Sequence, residues 1–217
     1  MPFPTEFSKD FSNNLALRTA VQLIPTLGGI IDMALTSKWQ DYIQKRQDLF
    51  NEAIIQEFQD LDETKIDREY LESEEFMDLF AKTLNLVLQT RSKEKIGIYV
   101  KILKGSLLIK DELFKPEDYL NILEELTEAE MSFAKQFYDL KMEYKDSRHL
   151  TDEEKNDIDY ASTHFINVST EQAQYYFKKI EKAGLLSEKT GSFIGYGGGE
   201  YNLTEIYKSL MSYISRC

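Results

Sequence analysis

The chain has 217 residues, of which 42% are hydrophobic and 12% aromatic, so it can fill one large or two small cores. Its net charge of −12 repels nucleic acid and disfavours it as a partner unless basic residues gather on one face. The single cysteine, Cys217, excludes an internal disulfide, and the first residues lack a signal-peptide pattern. We therefore expect an acidic, cytoplasmic protein.

The first unusual feature is an apolar segment, residues 15–35. Arg18 and Asp32 bracket thirteen uncharged residues that include Pro25. A membrane-spanning helix needs about 20 apolar residues and proline breaks helices, so we expect a buried hairpin of two short helices. The alternative is a membrane-active segment that leaves the protein core. Its inserting side chains would be Leu23, Ile24, Leu27, Ile30 and Ile31.

Apolar residues at helical spacing predict three helices in the next part of the chain. The first runs from about Trp39 to Phe58 and ends at an acidic run, after which we expect a loop. Ser73 and Ser92 are predicted N-caps of the next two helices, because a serine hydroxyl can accept a hydrogen bond from a free N–H group. These helices predict an N-terminal helical bundle, residues 1–114.

The second predicted domain, residues 115–217, begins with a proline. Pro116 fits the first position of a helix, where its missing N–H group costs nothing. Two capping boxes mark further helix starts, since the first and fourth residues of each can satisfy each other's backbone N–H groups. They are Thr127-Glu128-Ala129-Glu130 and Thr151-Asp152-Glu153-Glu154.

The end of the chain is the most informative part. Ser169 and Gln172 form a third capping box, and Gly184 is placed to stop the helix that starts there. A glycine-rich β-hairpin follows within residues 185–203, and Thr204 caps a closing helix. This order predicts a winged helix-turn-helix. The predicted fold class is mainly α, with an N-terminal bundle and a small β-hairpin wing.

A winged helix raises the question of DNA binding. Gln172 on the recognition helix could pair with adenine, and the lysines of that helix could reach phosphates. Outer-face lysines are more often solvated surface, however, and the wing residues 192–196 contain no Lys or Arg. We therefore expect protein docking or self-association, with a DNA-binding transcription regulator as the alternative. The candidate contact residues are Gln172, Tyr175, Lys178, Lys179, Lys182 and Tyr196.

Catalytic and metal-binding patterns are weak. The chain contains only two histidines, His149 and His164, and one cysteine, which is too few for a soft-metal site. No nucleophile stands in a recognisable spacing with a base and an acid. We expect no enzymatic activity, no cofactor and no metal.

Four short segments resemble bacterial helical proteins of the abortive-infection alpha type. The resemblance implies a helical region followed by a winged-helix-like end and a role in phage defence, and it carries no catalytic residues. This chain departs from the pattern in its acidic stretch, residues 146–159. The segments are Ile24-Pro25-Thr26-Leu27-Gly28-Gly29, Leu71-Glu72-Ser73-Glu74-Glu75-Phe76, Thr90-Arg91-Ser92-Lys93-Glu94-Lys95 and Leu123-Glu124-Glu125-Leu126-Thr127.

Overall fold

A computed structural model describes residues 37–108, 113–145, 168–188 and 201–215. The apolar segment 15–35, with its five candidate membrane-active side chains, lies outside these residues, as do the capping box at Thr151 and the wing residue Tyr196. Within the described parts, no helix combines the length and apolar character that crossing a membrane requires.

The chain is mainly helical and carries a small antiparallel hairpin near its C-terminus, which confirms the predicted fold class at that level. The strands are β1 (Leu186–Glu188) and β2 (Tyr201–Leu203), paired so that Leu186 lies opposite Leu203. The helices are α1 (Ser37–Phe58), α2 (Arg68–Leu71), α3 (Glu74–Gln89), α4 (Lys93–Leu108), α5 (Pro116–Glu125), α6 (Glu128–Lys145), α7 (Thr170–Lys182) and α8 (Glu205–Ser215).

The chain divides into two compact units. The first comprises the residues up to Leu120 together with the end of the chain from Tyr213, and the second is Asn121–Ser212. The two-domain boundary after residue 114 stays a prediction.

In the first unit, α1 packs against α3 and α4. Phe50, Ile54 and Phe58 lie at helical spacing on one face of α1 and are fully buried, and the ring of Phe50 lies 5.8 Å from that of Phe80. The predicted caps are confirmed. Ser73 Oγ accepts the Phe76 N–H group at 3.2 Å, and Ser92 Oγ accepts that of Lys95 at 3.1 Å.

The stretch after α1 is more structured than the expected loop. It contains a 3₁₀ turn, Glu63–Lys65, and the one-turn helix α2. Asp62 and Asp67 cap these two elements, because each carboxylate accepts a backbone N–H group two or three residues further on. The acidic run at residues 59–63, which follows α1, therefore also starts the 3₁₀ turn through Asp62.

A glycine in α4 allows a close contact within the first unit. A Cβ atom placed on Gly105 would lie 2.5 Å from Cδ1 of Tyr213. The ring of Tyr213 is almost fully buried and lies 4.9 Å from the ring of Tyr119. A larger residue at position 105 would therefore have to displace a packed aromatic ring.

The second unit has an aromatic core. Phe133 and Phe137 of α6 each place their rings 5.0 Å from the ring of Phe177 on α7, and Tyr201 of β2 stacks on Phe177 at 4.6 Å. The hairpin thereby contributes a side chain to the same core as the two helices. On α8, Tyr207 is also buried, and its hydroxyl has no hydrogen-bond partner in the described chain.

Candidate protein-interaction surface

Helix α7 starts where the sequence predicts. Ser169 Oγ accepts the Gln172 N–H group at 3.2 Å, and Gln172 Oε1 accepts the Ser169 N–H group at 3.4 Å. Both halves of the capping box are present, so two otherwise free donors are satisfied. The capping box at Thr127 and Glu130 on α6 is formed in the same way.

The end of α7 is fixed by Gly184. Its φ angle of 82° lies in the left-handed region, which glycine adopts without steric cost. The Gly184 N–H group donates to Glu181 O and the Leu185 N–H group donates to Ile180 O, which is the Schellman pattern. The chain then enters β1 directly, so the hairpin follows the helix without a long linker.

The two faces of α7 differ sharply in exposure. Ala173, Phe177 and Ile180 are buried, as their helical spacing predicts. The opposite side carries a row that we call the outer stripe, spaced by three, four and three residues. The outer stripe consists of Gln172, Tyr175, Lys179 and Lys182, all exposed.

Lys178 lies beside the outer stripe but is held by the hairpin and its own helix. Its ammonium group lies 2.6 Å from Glu188 Oε2 on β1 and 3.0 Å from Glu181 Oε2. Glu181 also accepts the Glu188 N–H group at 3.2 Å, and the Lys178 ammonium lies 5.7 Å from the centre of the Tyr201 ring. We call Lys178, Glu181 and Glu188 the hairpin latch.

The contacts of the hairpin latch act on the pKa of Lys178. Hydrogen bonds to Glu188 and then to Glu181 raise the pKa of Lys178 above its usual value, so the side chain stays charged. Burial raises the pKa of the neighbouring Tyr201, and the Lys178 charge partly opposes that shift. The charge of Lys178 is therefore permanent near neutral pH and is balanced locally by two carboxylates.

Gln172 is also engaged by the protein itself. A glutamine reads adenine with both its carbonyl oxygen and its amide nitrogen. In this structure Gln172 Oε1 accepts the hydrogen bond from Ser169 that completes the cap. Reading a base with Gln172 Oε1 would therefore compete with this hydrogen bond of the helix cap.

The remaining members of the outer stripe are differently placed. Tyr175 is 55% exposed, and its ring lies 5.9 Å from that of Tyr176. Lys179 Nζ lies 5.6 Å from the centre of the Tyr175 ring, within cation–π distance. Among the described residues, neither Lys179 nor Lys182 has a carboxylate within ion-pair distance.

The structure thus brings five of the six candidate contact residues onto one exposed side of α7, and the sixth, Tyr196, lies outside the described residues. Sequence reasoning missed the partners of Lys178. Glu181 stands three residues after Lys178, a spacing that favours an ion pair in a helix. Glu188 lies beyond the turn, and no local pattern would have indicated it.

The described residues contain no group of three or more His, Cys, Asp or Glu side chains that could hold a metal ion. No protein-family model matches the chain, and neither curated proteins nor solved structures show significant similarity to it.

Proposed function

We propose that this protein is a non-enzymatic interaction protein and that α7, the hairpin and α8 form a winged-helix module that docks on another protein. The order helix, tight turn, antiparallel hairpin and helix supports the winged-helix assignment. We also propose that the protein is cytoplasmic, which fits its single cysteine.

One observation carries the choice of protein over DNA. Lys178 and Gln172, which a DNA-reading helix would direct at phosphates and bases, are engaged by the hairpin latch and the helix cap. Lys179 and Lys182, which have no carboxylate within ion-pair distance among the described residues, provide few phosphate contacts, whereas tight DNA binding generally uses many. An exposed tyrosine between polar residues is typical of protein interfaces.

Site-directed photo-crosslinking in the cells that naturally express the protein tests this function. A photoreactive phenylalanine analogue at Tyr175 should form a protein adduct, and the same analogue at Lys45 on α1, also exposed, is the control. An adduct from position 175 that disappears in the Lys179→Glu/Lys182→Glu variant supports docking by α7. DNA in the adduct, or no adduct at all, argues against it.

A DNA titration across a salt series tests the transcription-regulator alternative. Random-sequence duplex DNA should bind weakly, and the Lys178→Glu/Lys179→Glu/Lys182→Glu variant should change that little. Tight, salt-sensitive binding that the variant loses would instead favour the DNA-binding alternative.

Phage defence is proposed as the biological setting on the sequence resemblance alone. Deletion of the gene should then raise the plating efficiency of at least one phage, and a gene copy encoding Tyr175→Ala should fail to restore resistance. Equal plating efficiency on the wild-type and deletion strains across a broad phage panel would refute the role in phage defence but would not affect the docking proposal.

A further inference from the structure

The spacing of the outer stripe indicates the shape of its partner. Tyr175, Lys179 and Lys182 follow one another at i, i+4 and i+7, so they line one side of α7 over about 10 Å. A straight row of side chains on a helix offers a ridge against which a second helix can lie. The three side chains of the row are exposed, whereas the opposite side of α7 packs against α6.

The charge of the row indicates the partner's composition. The charge of Lys178 is balanced by Glu181 and Glu188, whereas Lys179 and Lys182 have no carboxylate within ion-pair distance among the described residues. In a chain with a net charge of −12, two neighbouring lysines without an ion-pair partner in the described part of the chain form a local site for negative groups. Carboxylates on the partner would complete the missing pairs.

Tyr175 supplies the apolar part of this surface. Its exposed ring contacts Tyr176, whose ring lies 5.2 Å from the buried ring of Phe133, so Tyr175 rests on the aromatic core. An aromatic side chain that already packs against a neighbouring ring loses little conformational freedom on binding, which is one reason why tyrosine is common at binding hot spots. An apolar side chain of the partner fits over this ring.

We infer that the outer stripe binds an acidic amphipathic helix of another protein, with its apolar side over Tyr175 and its carboxylates at Lys179 and Lys182. This inference rests on the proposed docking function. A second copy bound through the same stripe does not fit, because a symmetric dimer of this kind would bring the lysines of both stripes together. DNA is disfavoured because Gln172 Oε1 and Lys178 already have partners within the protein.

Two fluorescent helical peptides of about 15 residues test the inference. They share a leucine stripe at heptad spacing and differ only in flanking residues, which are glutamate in one and lysine in the other. The full-length protein should bind the glutamate peptide about tenfold more tightly than the lysine peptide, and salt should reduce the difference. Fluorescence anisotropy gives both affinities.

Charge reversal provides the matched comparison. The Lys179→Glu/Lys182→Glu variant should prefer the lysine peptide. The control variant Lys45→Glu/Lys93→Glu has the same net charge, but its changes lie at exposed positions of the first unit, so it should keep the wild-type preference. Tyr175→Ala should weaken binding of the glutamate peptide several-fold with the preference retained. Circular dichroism verifies that each variant is folded.

The outcomes separate this inference from the docking function. Equal binding of both peptides, binding of neither, or a preference that the control variant also reverses would overturn the acidic-helix partner. If photo-crosslinking at position 175 still yields a protein adduct in that case, docking stands with a different partner. Loss of the adduct together with tight DNA binding would remove both.

Discussion

Replacing Gly105 by alanine should destabilise the first unit, although alanine is the better helix former. The new Cβ atom would lie 2.5 Å from Cδ1, 3.1 Å from Cε1 and 3.3 Å from Cγ of Tyr213. Because the Tyr213 ring is buried and packed on Tyr119, it cannot swing aside without disturbing its neighbours. Overpacking of this kind costs about 1–3 kcal/mol.

Helix propensity acts in the opposite direction. Alanine is favoured over glycine inside a helix by about 1 kcal/mol, so the net destabilisation by Gly105→Ala should be roughly 0–2 kcal/mol. Gly97 in the same helix is the control, since a Cβ atom there meets nothing within 4 Å. Gly97→Ala should therefore stabilise by about 1 kcal/mol, and the difference between the two variants isolates the contact with Tyr213.

Urea denaturation measures both variants, with far-UV circular dichroism and the fluorescence of Trp39, the single tryptophan, as readouts. The same Gly105→Ala change should become stabilising in a Tyr213→Ala background, where the ring is gone. If Gly105→Ala stabilises the wild-type protein as much as Gly97→Ala does, the Tyr213 ring does not pack closely against Gly105 and the reasoning is refuted.

Four further predictions concern single side chains. Ser169→Ala removes half of a capping box and should lower the unfolding free energy by about 1 kcal/mol, measured with urea; an unchanged midpoint would contradict the role of the cap. Tyr207→Phe removes a buried hydroxyl that has no hydrogen-bond partner among the described residues and should raise the melting temperature, since such a group costs about 1–3 kcal/mol. A lower melting temperature would mean that the hydroxyl is hydrogen-bonded. Burial raises the pKa of Tyr70 from 10.0 to about 12, so its contribution to stability should be intact below pH 10 and be lost between pH 10 and 12. The free energy of unfolding, measured with urea between pH 10 and 12, should therefore decrease less with pH in Tyr70→Phe than in the wild-type protein. An equal decrease in both proteins would refute the raised pKa of Tyr70. Lys178→Met leaves two carboxylates facing each other and should speed hydrogen exchange in β1 and β2, with α6 unaffected; unchanged exchange would mean that the hairpin latch contributes nothing.

The sequence alone predicted those helix starts and stops that depend on neighbouring residues. Ser73, Ser92, Thr127 and Ser169 each stand at a helix start, and in each case the hydroxyl accepts the N–H group expected from the spacing. The stop at Gly184 was equally readable, because a positive φ angle favours glycine. These patterns extend over three to five residues and depend little on the rest of the fold.

The sequence alone did not predict contacts between residues that lie far apart in the chain or on opposite sides of a turn. The close approach of Gly105 to Tyr213 spans more than a hundred residues, and nothing in the sequence around either position indicates it. Lys178 reads as one of three similar outer-face lysines, and its ion pair with Glu188, which lies beyond the turn, could not be predicted from the residues around it. The candidate interaction surface was thus located from the sequence, but which of its lysines is ion-paired within the described chain was not.

The pairing of two strands, with no third strand beside them among the described residues, has a consequence for motion. An isolated two-stranded hairpin is only marginally stable in water. The pair therefore depends on the stacking of Tyr201 against Phe177 and on the ion pair between Lys178 and Glu188. Such a segment can open while the helices remain folded, so its amides should exchange by local opening rather than by global unfolding. The free energy of that opening would then be adjusted independently of the stability of the core, by changes to the hairpin latch alone.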